Sequence, residues 1–285
     1  MLVDYKIRKS LRIVTIAVFI SLVLFQSNAC SWADDQQVTI KIGGTGGAIG
    51  AMKELAAAFQ KKHSSVRIVF IPNLGTRGGI KAVAEGAIDI GISGRALTAA
   101  ELSQGLKQIE YARSPFVFVT SCNGAGINLT PDMVIKIYRG EIKTWPDGTP
   151  IRIILRTDGD MDTIMLKALS PGLKDAVGTA QSREGMITAI TDQDSADHVE
   201  KIKGSFGTST LTQIISEKRE VTMLPFNGVM PGVETAVKGA YPFSKPFVMI
   251  TGPKSAVAGS FAGFVGSPEG RAILTKTGNM VPKGK

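Results

Sequence analysis

Three short stretches of this chain gather glycines and hydroxyls where an anion could be held: Thr45-Gly46-Gly47, Thr76-Arg77-Gly78 and Ser93-Gly94-Arg95. Each stands between a run with strand periodicity and a following turn or helix, so unpaired backbone N–H groups at that end can face a negative group. Two of the three add an arginine. One glycine-rich tip is ordinary turn chemistry; three in succession, each with a hydroxyl, read as a receptor for something negative. A fourth stretch brings charge of both signs, with Arg156 followed by Asp158, Asp160, Asp162 and Thr163.

The elements that must position these tips follow from periodicity. Val38, Ile40 and Ile42 alternate with polar residues as a strand does, and Met52, Leu55, Ala56 and Phe59 then fall at helical spacing. Val66, Ile68 and Phe70 give a second strand, Ile80 to Ala87 a helix, and Ile88 to Ile92 a third strand. Successive strand–helix–strand units build a parallel sheet by right-handed crossovers, which sets the tips after Ile42, Ile71 and Ile92 at one edge. Ligands of open α/β sheets bind at that carboxyl edge. Further along, the sequence predicts a helix over Ala99 to Ile109, capped by Thr98 and Glu101 and weakened by Gly105, and a buried strand over Ser114 to Ser121. It predicts a helix starting at Thr130-Pro131 and stopped by Gly140, a strand over Ile151 to Leu155 that delivers Arg156, and a helix from Ile164 to Leu169. Thr191 to Lys203, which contains His198, reads as a solvated helix or loop. Gly204 to Thr210 reads as a small-residue turn, Leu211 to Glu217 as an amphipathic segment, Val221 to Leu224 as a short strand, and Phe247 to Thr251 as the strand that returns to the first half.

The chain has 285 residues, 44% of them hydrophobic and 20% charged, enough for one large domain or two lobes. Only 6% are aromatic, and no basic run is interleaved with aromatics, which argues against nucleic acid as a partner. Residues 1–33 have the pattern of a secretory signal peptide: Lys6, Arg8, Lys9 and Arg12, then an apolar run from Ile13 to Phe25, then Ser31-Trp32-Ala33 at the cleavage positions. The alternative is lipid anchoring through Cys30, against which Ser27-Asn28-Ala29 lacks the usual aliphatic residue. Cleavage after Ala33 leaves 29 basic against 23 acidic residues, a net of +6, and leaves Cys122 with no disulfide partner. An exported protein of modest positive charge suits small anions or a membrane surface. Enzyme signals fail when tested. The glycines at 44 and 46 would need a third where Ile49 stands to make a dinucleotide fingerprint, and His63 and His198 both sit among charged residues with neither a metal pair nor a nucleophile. Cys122, without a basic neighbour in sequence, reads as a small buried apolar residue. Nothing in the pattern asks for a cofactor or metal.

Taken in order, Gly75 to Lys81, Ile88 to Leu97, Ile135 to Trp145, Tyr241 to Pro246 and Phe264 to Gly270 resemble the phosphate-binding proteins that serve ABC importers, and the likeness runs from Val38 to Pro282. The resemblance implies an α/β fold, a two-lobe periplasmic-binding-protein clamshell with a two-strand hinge. With that fold, residues 34–118 and 247–285 form the first lobe and 119–246 the second. It implies no catalysis, a small oxyanion as ligand with phosphate favoured, a membrane permease as partner, a monomer, and a periplasmic or secreted location. By that likeness Thr45, Gly46 and Gly47 match the first anion tip, Thr76 with Arg77 and Gly78 the second, and Ser93 with Arg95 the third. Arg156 matches the arginine that grips the anion from the second lobe.

Two departures stand out. Gly94 occupies the place where many members have an aspartate that accepts the phosphate proton, and Asp160-Met161-Asp162 replaces Ser-Gly-Thr. Two carboxylates there oppose a dianion, because like charges at ~4 Å repel by about 4 kcal/mol at an effective dielectric of 20. Three readings stay open: the carboxylates turn away as helix caps, one of them accepts a proton from a protonated oxyanion, or the ligand is an organic molecule with anionic and donor groups. Two other function classes share the parts: a ligand sensor with the same clamshell, and a secreted hydrolase using Asp160 or Asp162 as base.

Overall fold

The computed structural model describes residues 37–124, 126–253 and 258–282; the signal segment and Cys30 lie outside them. In chain order the elements are β1 (Val38–Gly44), a 3-10 turn (Gly46–Ala48), α1 (Ile49–Lys62), β2 (Val66–Ile71), α2 (Gly75–Ala84), β3 (Ile90–Ser93), α3 (Ala99–Leu102) and β4 (Lys107–Thr120). There follow α4 (Pro131–Arg139), β5 (Arg152–Arg156), α5 (Met161–Leu169), α6 (Pro171–Ser182), β6 (Ile187–Ala189), α7 (Asp192–Lys201) and β7 (Ser205–Thr210). The chain closes with α8 (Leu211–Glu217), β8 (Thr222–Met223), α9 (Val233–Val237), β9 (Ser244–Thr251), α10 (Ala258–Gly266) and α11 (Pro268–Lys276).

Among the described residues the strands run in the order β2-β1-β3-β9-β4-β7-β5-β6, with β8 added to β4. β1 pairs in parallel with β2 and β3, so the tips after Gly44, Ile71 and Ser93 share one edge. β5 pairs in parallel with β6 and β7 and brings Arg156 to the matching edge of the other half. The long β4 belongs to both halves. From Lys107 to Pro115 it pairs antiparallel with β9, and from Phe116 to Thr120 with β7 and β8. A two-lobed clamshell is the result, with β4 and the start of β9 as its two crossing strands. Phe116 N–H donates to the Phe243 carbonyl at 3.1 Å and Tyr241 Oη donates to the Phe116 carbonyl at 2.9 Å, which ties the crossings side by side.

Each half has its own core. In the first, Ile40, Ile42, Met52, Phe59, Phe247 and Phe261 pack on one sheet face, and Ile80, Val83, Val248 and Ile250 on the other. In the second, fully buried Phe206 lies among Phe118, Tyr138 and Trp145, with ring centroids 5.6, 5.7 and 5.8 Å away. Burying such a side chain stabilises by ~1.5–3 kcal/mol. Phe116 and Phe118 pack in this second core, while Ser114 and Pro115 just before them pair with Lys245 and Ser244 of β9.

Four local expectations are corrected. The helix expected over Ala99 to Ile109 stops at Leu102, because Gly105 takes a left-handed turn at φ 79°, and residues from Lys107 join the sheet instead. Gly204 to Thr210 is not simply a turn: Ser205–Thr210 forms buried β7 beside β4, and its hydroxyls are satisfied inside. In Thr191 to Lys203 the expected solvated helix is α7, but one of its faces is buried at Asp192, Ser195, Ala196 and Val199. Among the described residues Cys122 is a free thiol, half-buried against the larger core rather than fully enclosed.

Candidate functional site

The first tip forms because β1 ends in a close backbone approach. Gly44 has φ 146°, and a Cβ there would meet the Ile92 carbonyl oxygen at 1.9 Å; one on Gly79 would meet Gly44 Cα at 2.9 Å. α2 can therefore lie directly on the ends of β1 and β3, which brings the second tip beside the first. Most helices here start with a side chain that accepts from a first-turn amide: Thr98, Thr130, Ser170, Thr191, Thr210 and Ser267 serve α3, α4, α6, α7, α8 and α11. α1 and α2 have no such cap. At α2 the first-turn N–H groups keep the partial positive charge that suits an anion, whereas at α1 the Ile49 N–H donates to the Gly46 carbonyl of the preceding 3-10 turn.

Between the tips and the end of β5 lies a cleft of about 1060 Å³, lined by Gly44, Gly46, Thr76, Arg77, Arg156 and Asp160 among others. Arg156 is 5% exposed. Its Nη2 donates to Asp160 Oδ2 at 2.6 Å and lies 3.5 Å from Asp192 Oδ1. Among the described residues its Nε and Nη1 are buried without a hydrogen-bond partner. Burial works to lower the Arg156 pKa, but the fields of Asp192 and Asp160 outweigh it and hold the guanidinium firmly charged. Leaving a buried donor unmade costs ~1–3 kcal/mol, so these two N–H groups favour an incoming acceptor.

Thr45, Thr76 and Ser93 are all buried. Thr45 Oγ1 and Gly47 N–H both face Asp192 Oδ2, at 3.4 and 2.9 Å. Thr76 Oγ1 accepts from Gly94 N–H at 2.9 Å, which ties the second tip to the third. Gly78 sits half-buried in the first turn of α2. Arg77 is exposed, with its guanidinium against Gly159 of the second lobe.

Other expected site residues are engaged elsewhere. Ser93 Oγ donates to the Arg95 carbonyl at 2.6 Å and accepts from Arg95 N–H, closing its own turn. Arg95 turns to Glu101, with two bonds of 2.8 Å, because Glu101 already caps α3 nearby. Thr163 Oγ1 donates to the Arg156 carbonyl at 3.2 Å, where it braces the strand end.

Asp160 and Asp162 of the fourth stretch divide their work. Asp160 caps α5, its Oδ1 accepting from Asp162 N–H at 2.9 Å while Oδ2 holds Arg156. Asp162 is buried and accepts from Lys245 Nζ at 2.6 Å and from Thr208 Oγ1 at 3.2 Å. Burial pushes the Asp162 carboxyl above the usual carboxylate range despite Lys245. For Asp192 the balance reverses: burial is outweighed by Lys245, Arg156 and the Gly47 amide, and its carboxyl is held below that range.

Sequence reasoning missed Lys245 and Asp192. Lys245, only 1% exposed, stands at the start of β9 in what reads as a crossover loop, and Asp192 opens a segment whose composition is that of a solvated helix. The one available signal was Thr191, a good N-cap, which sets the start of α7 and hence the end that points into the cleft.

Comparison with known proteins follows the same outline. The sequence pattern of the PBP superfamily domain matches residues 32–269. The phosphate-binding protein PstS of Borreliella burgdorferi is 23% identical over 262 residues, covering 87% of this chain and 91% of that one. Among solved structures, a phosphate ABC transporter substrate-binding protein of Clostridium perfringens with bound phosphate superposes with a TM-score of 0.73 at 23% identity, over 86% of this chain and 100% of that one. The periplasmic molybdate-binding protein of Azotobacter vinelandii gives 0.61 at 17% identity, over 86% and 100%. Structures this distant share the fold, and the fold alone does not choose the anion. With the superfamily pattern spanning both lobes and the crossing strands between them, the chain belongs to the PBP superfamily.

Proposed function

We propose that this chain is an exported solute-binding protein that captures phosphate, or a closely similar small oxyanion, between its lobes and presents it to an ABC permease in the membrane. The observation that carries the reading is the buried Arg156 guanidinium with two donors unpartnered among the described residues, facing a cleft edged by the uncapped start of α2. Binding would proceed by lobe closure, with backbone N–H groups near Thr45 and Thr76 meeting Arg156 from the other side. Relatives named as phosphate-binding proteins agree with this ligand. Catalysis is a poor fit, since Asp160 and Asp162 are tied to Arg156 and Lys245 and neither is a free base.

Calorimetry with inorganic phosphate tests the proposal. Arg156→Ala removes a buried charged donor and is expected to cost about 2–5 kcal/mol of binding, roughly thirty-fold or more in affinity. Arg77→Ala, at an exposed side chain, is expected to cost less. Small and equal losses from both would refute the assignment. The size of the cleft, about 1060 Å³, favours a second reading in which the guest is a larger organic anion whose donors meet the carboxylates. Mass spectrometry of material released on denaturing the purified protein decides between the two.

A further inference from the structure

Asp192 is the first residue of α7, in the second lobe, yet its carboxylate sits on the first-lobe tip where an oxyanion would bind. Oδ2 accepts from Gly47 N–H at 2.9 Å and faces Thr45 Oγ1 at 3.4 Å; Oδ1 lies 3.5 Å from Arg156 and 4.0 Å from Lys245. The neighbouring contacts reinforce this seat. Gln193 Nε2 donates to the Gly46 carbonyl at 3.1 Å, and Thr210 Oγ1 donates to the Gly47 carbonyl at 3.2 Å. A Cβ on Gly46 would meet Gln193 Oε1 at 2.4 Å and Asp192 Oδ2 at 2.9 Å, so the tip and α7 are packed face to face. A carboxylate on a backbone amide beside a guanidinium is chemically what a bound oxyanion would be there.

We infer that Asp192 is an internal competitor for the anion site: its carboxylate latches the lobes by occupying the first tip, and a ligand oxyanion binds by exchange, displacing it from Gly47 and Arg156. The inference rests on the oxyanion reading proposed above. Charge supports exchange over addition. Arg156 and Lys245 are set against Asp160, Asp162 and Asp192, which already leaves one excess negative charge. A further anion without loss of a carboxylate would raise that excess in a buried place, whereas a monovalent oxyanion taking the seat of Asp192 leaves it unchanged.

Asp192→Asn tests the inference, because it keeps the shape and one acceptor oxygen while removing the charge and turning the other oxygen into an N–H donor. In calorimetry with inorganic phosphate at constant pH and salt, the variant is expected to bind about tenfold tighter than the parent chain. Small-angle scattering without added phosphate is expected to give it a larger radius of gyration, as the latch is lost. Equal or weaker phosphate binding by the variant, where the parent binds, overturns the inference. If neither chain binds phosphate but the variant still expands, the latch stands and the oxyanion reading falls; if neither binds and the scattering is unchanged, the latch falls too. Gln193→Ala removes the adjoining clasp but leaves the carboxylate. It is expected to change affinity less than Asp192→Asn does, and an equal tightening would assign the effect to lobe contact and overturn the exchange.

Discussion

Lys245 offers the most demanding test of the electrostatics. Its ammonium is 1% exposed, 2.6 Å from Asp162 and 4.0 Å from Asp192, and burial, which would lower its pKa, is outweighed by Asp162, Asp192 and Asp160. Lys245→Met keeps the length of the side chain and removes the charge, leaving Asp162 buried against two other carboxylates. Breaking a buried pair in this way costs about 3–5 kcal/mol. For a chain of this size each kcal/mol moves the melting temperature by about 2–4 °C, so a fall of roughly 6–20 °C at neutral pH is expected by calorimetry or circular dichroism. The sign of the pH dependence separates charge from packing. Asp162 already has a folded pKa above its unfolded one, so its ionisation costs stability as pH rises through that interval, and losing Lys245 steepens the cost. The deficit of the variant should therefore shrink as pH falls to about 4 and Asp162 takes up a proton, and Asp162→Asn in the same chain should restore much of the loss at neutral pH. A deficit that is the same at acid and neutral pH would mean that the stem, not the charge, is what Lys245 contributes, and would refute the reasoning.

Phe206→Ala opens a cavity among Phe118, Tyr138 and Trp145, with an expected cost of ~3–5 kcal/mol in urea unfolding. Arg95→Ala is expected to leave phosphate affinity unchanged, since that guanidinium is held by Glu101; a large loss in calorimetry would return Arg95 to the site. The Arg95 hydrogen bonds, opposed by burial and helped by the Thr98 amide, draw the Glu101 carboxyl down to about 2 from 4.5. Because its folded pKa is depressed, its stabilisation is present above 4.5 and lost as pH falls toward 2, so the melting-temperature gap between the parent chain and Glu101→Gln should close over that window.

The parts of this molecule legible in the sequence are those set by local rules. Alternation at Val38, Ile40 and Ile42 and helical spacing at Met52, Leu55 and Phe59 name the first units, and Thr130 with Pro131 and Gly140 brackets α4. From parallel crossovers alone the three tips fall on one edge. What stayed hidden depends on contacts distant in sequence. Ser205–Thr210 has the composition of a turn and becomes a strand because β4 on one side and β5 on the other complete its hydrogen bonds. Asp192 and Lys245 look like surface charges until β5, α7 and β9 converge, and only then do they find Arg156 and Asp162.

The same convergence makes the two departures, Gly94 and Asp160-Met161-Asp162, one coupled set of contacts. A Cβ at Gly94 would stand 3.0 Å from Lys245 Cε, 3.3 Å from Met161 Cγ and 3.4 Å from Thr76 Oγ1, so Lys245 and Met161 together take up the space where an aspartate would project. Lys245 in turn needs a buried anion, and Asp162 supplies it from the first turn of α5. Asp160, one residue before that helix, accepts from Asp162 N–H with one oxygen and engages Arg156 with the other. In this chain the carboxylates thus stand at the start of α5 in the opposite lobe, and a lysine fills the space beside Gly94. Changing Gly94 to Asp alone would set a new carboxylate beside Lys245 and compete with Asp162 for it. A return to the arrangement common among the phosphate binders this chain resembles would need changes at positions 94, 160, 162 and 245 together, because Lys245 fills the space beside Gly94 and is paired with Asp162, while Asp160 caps the same helix and is paired with Arg156.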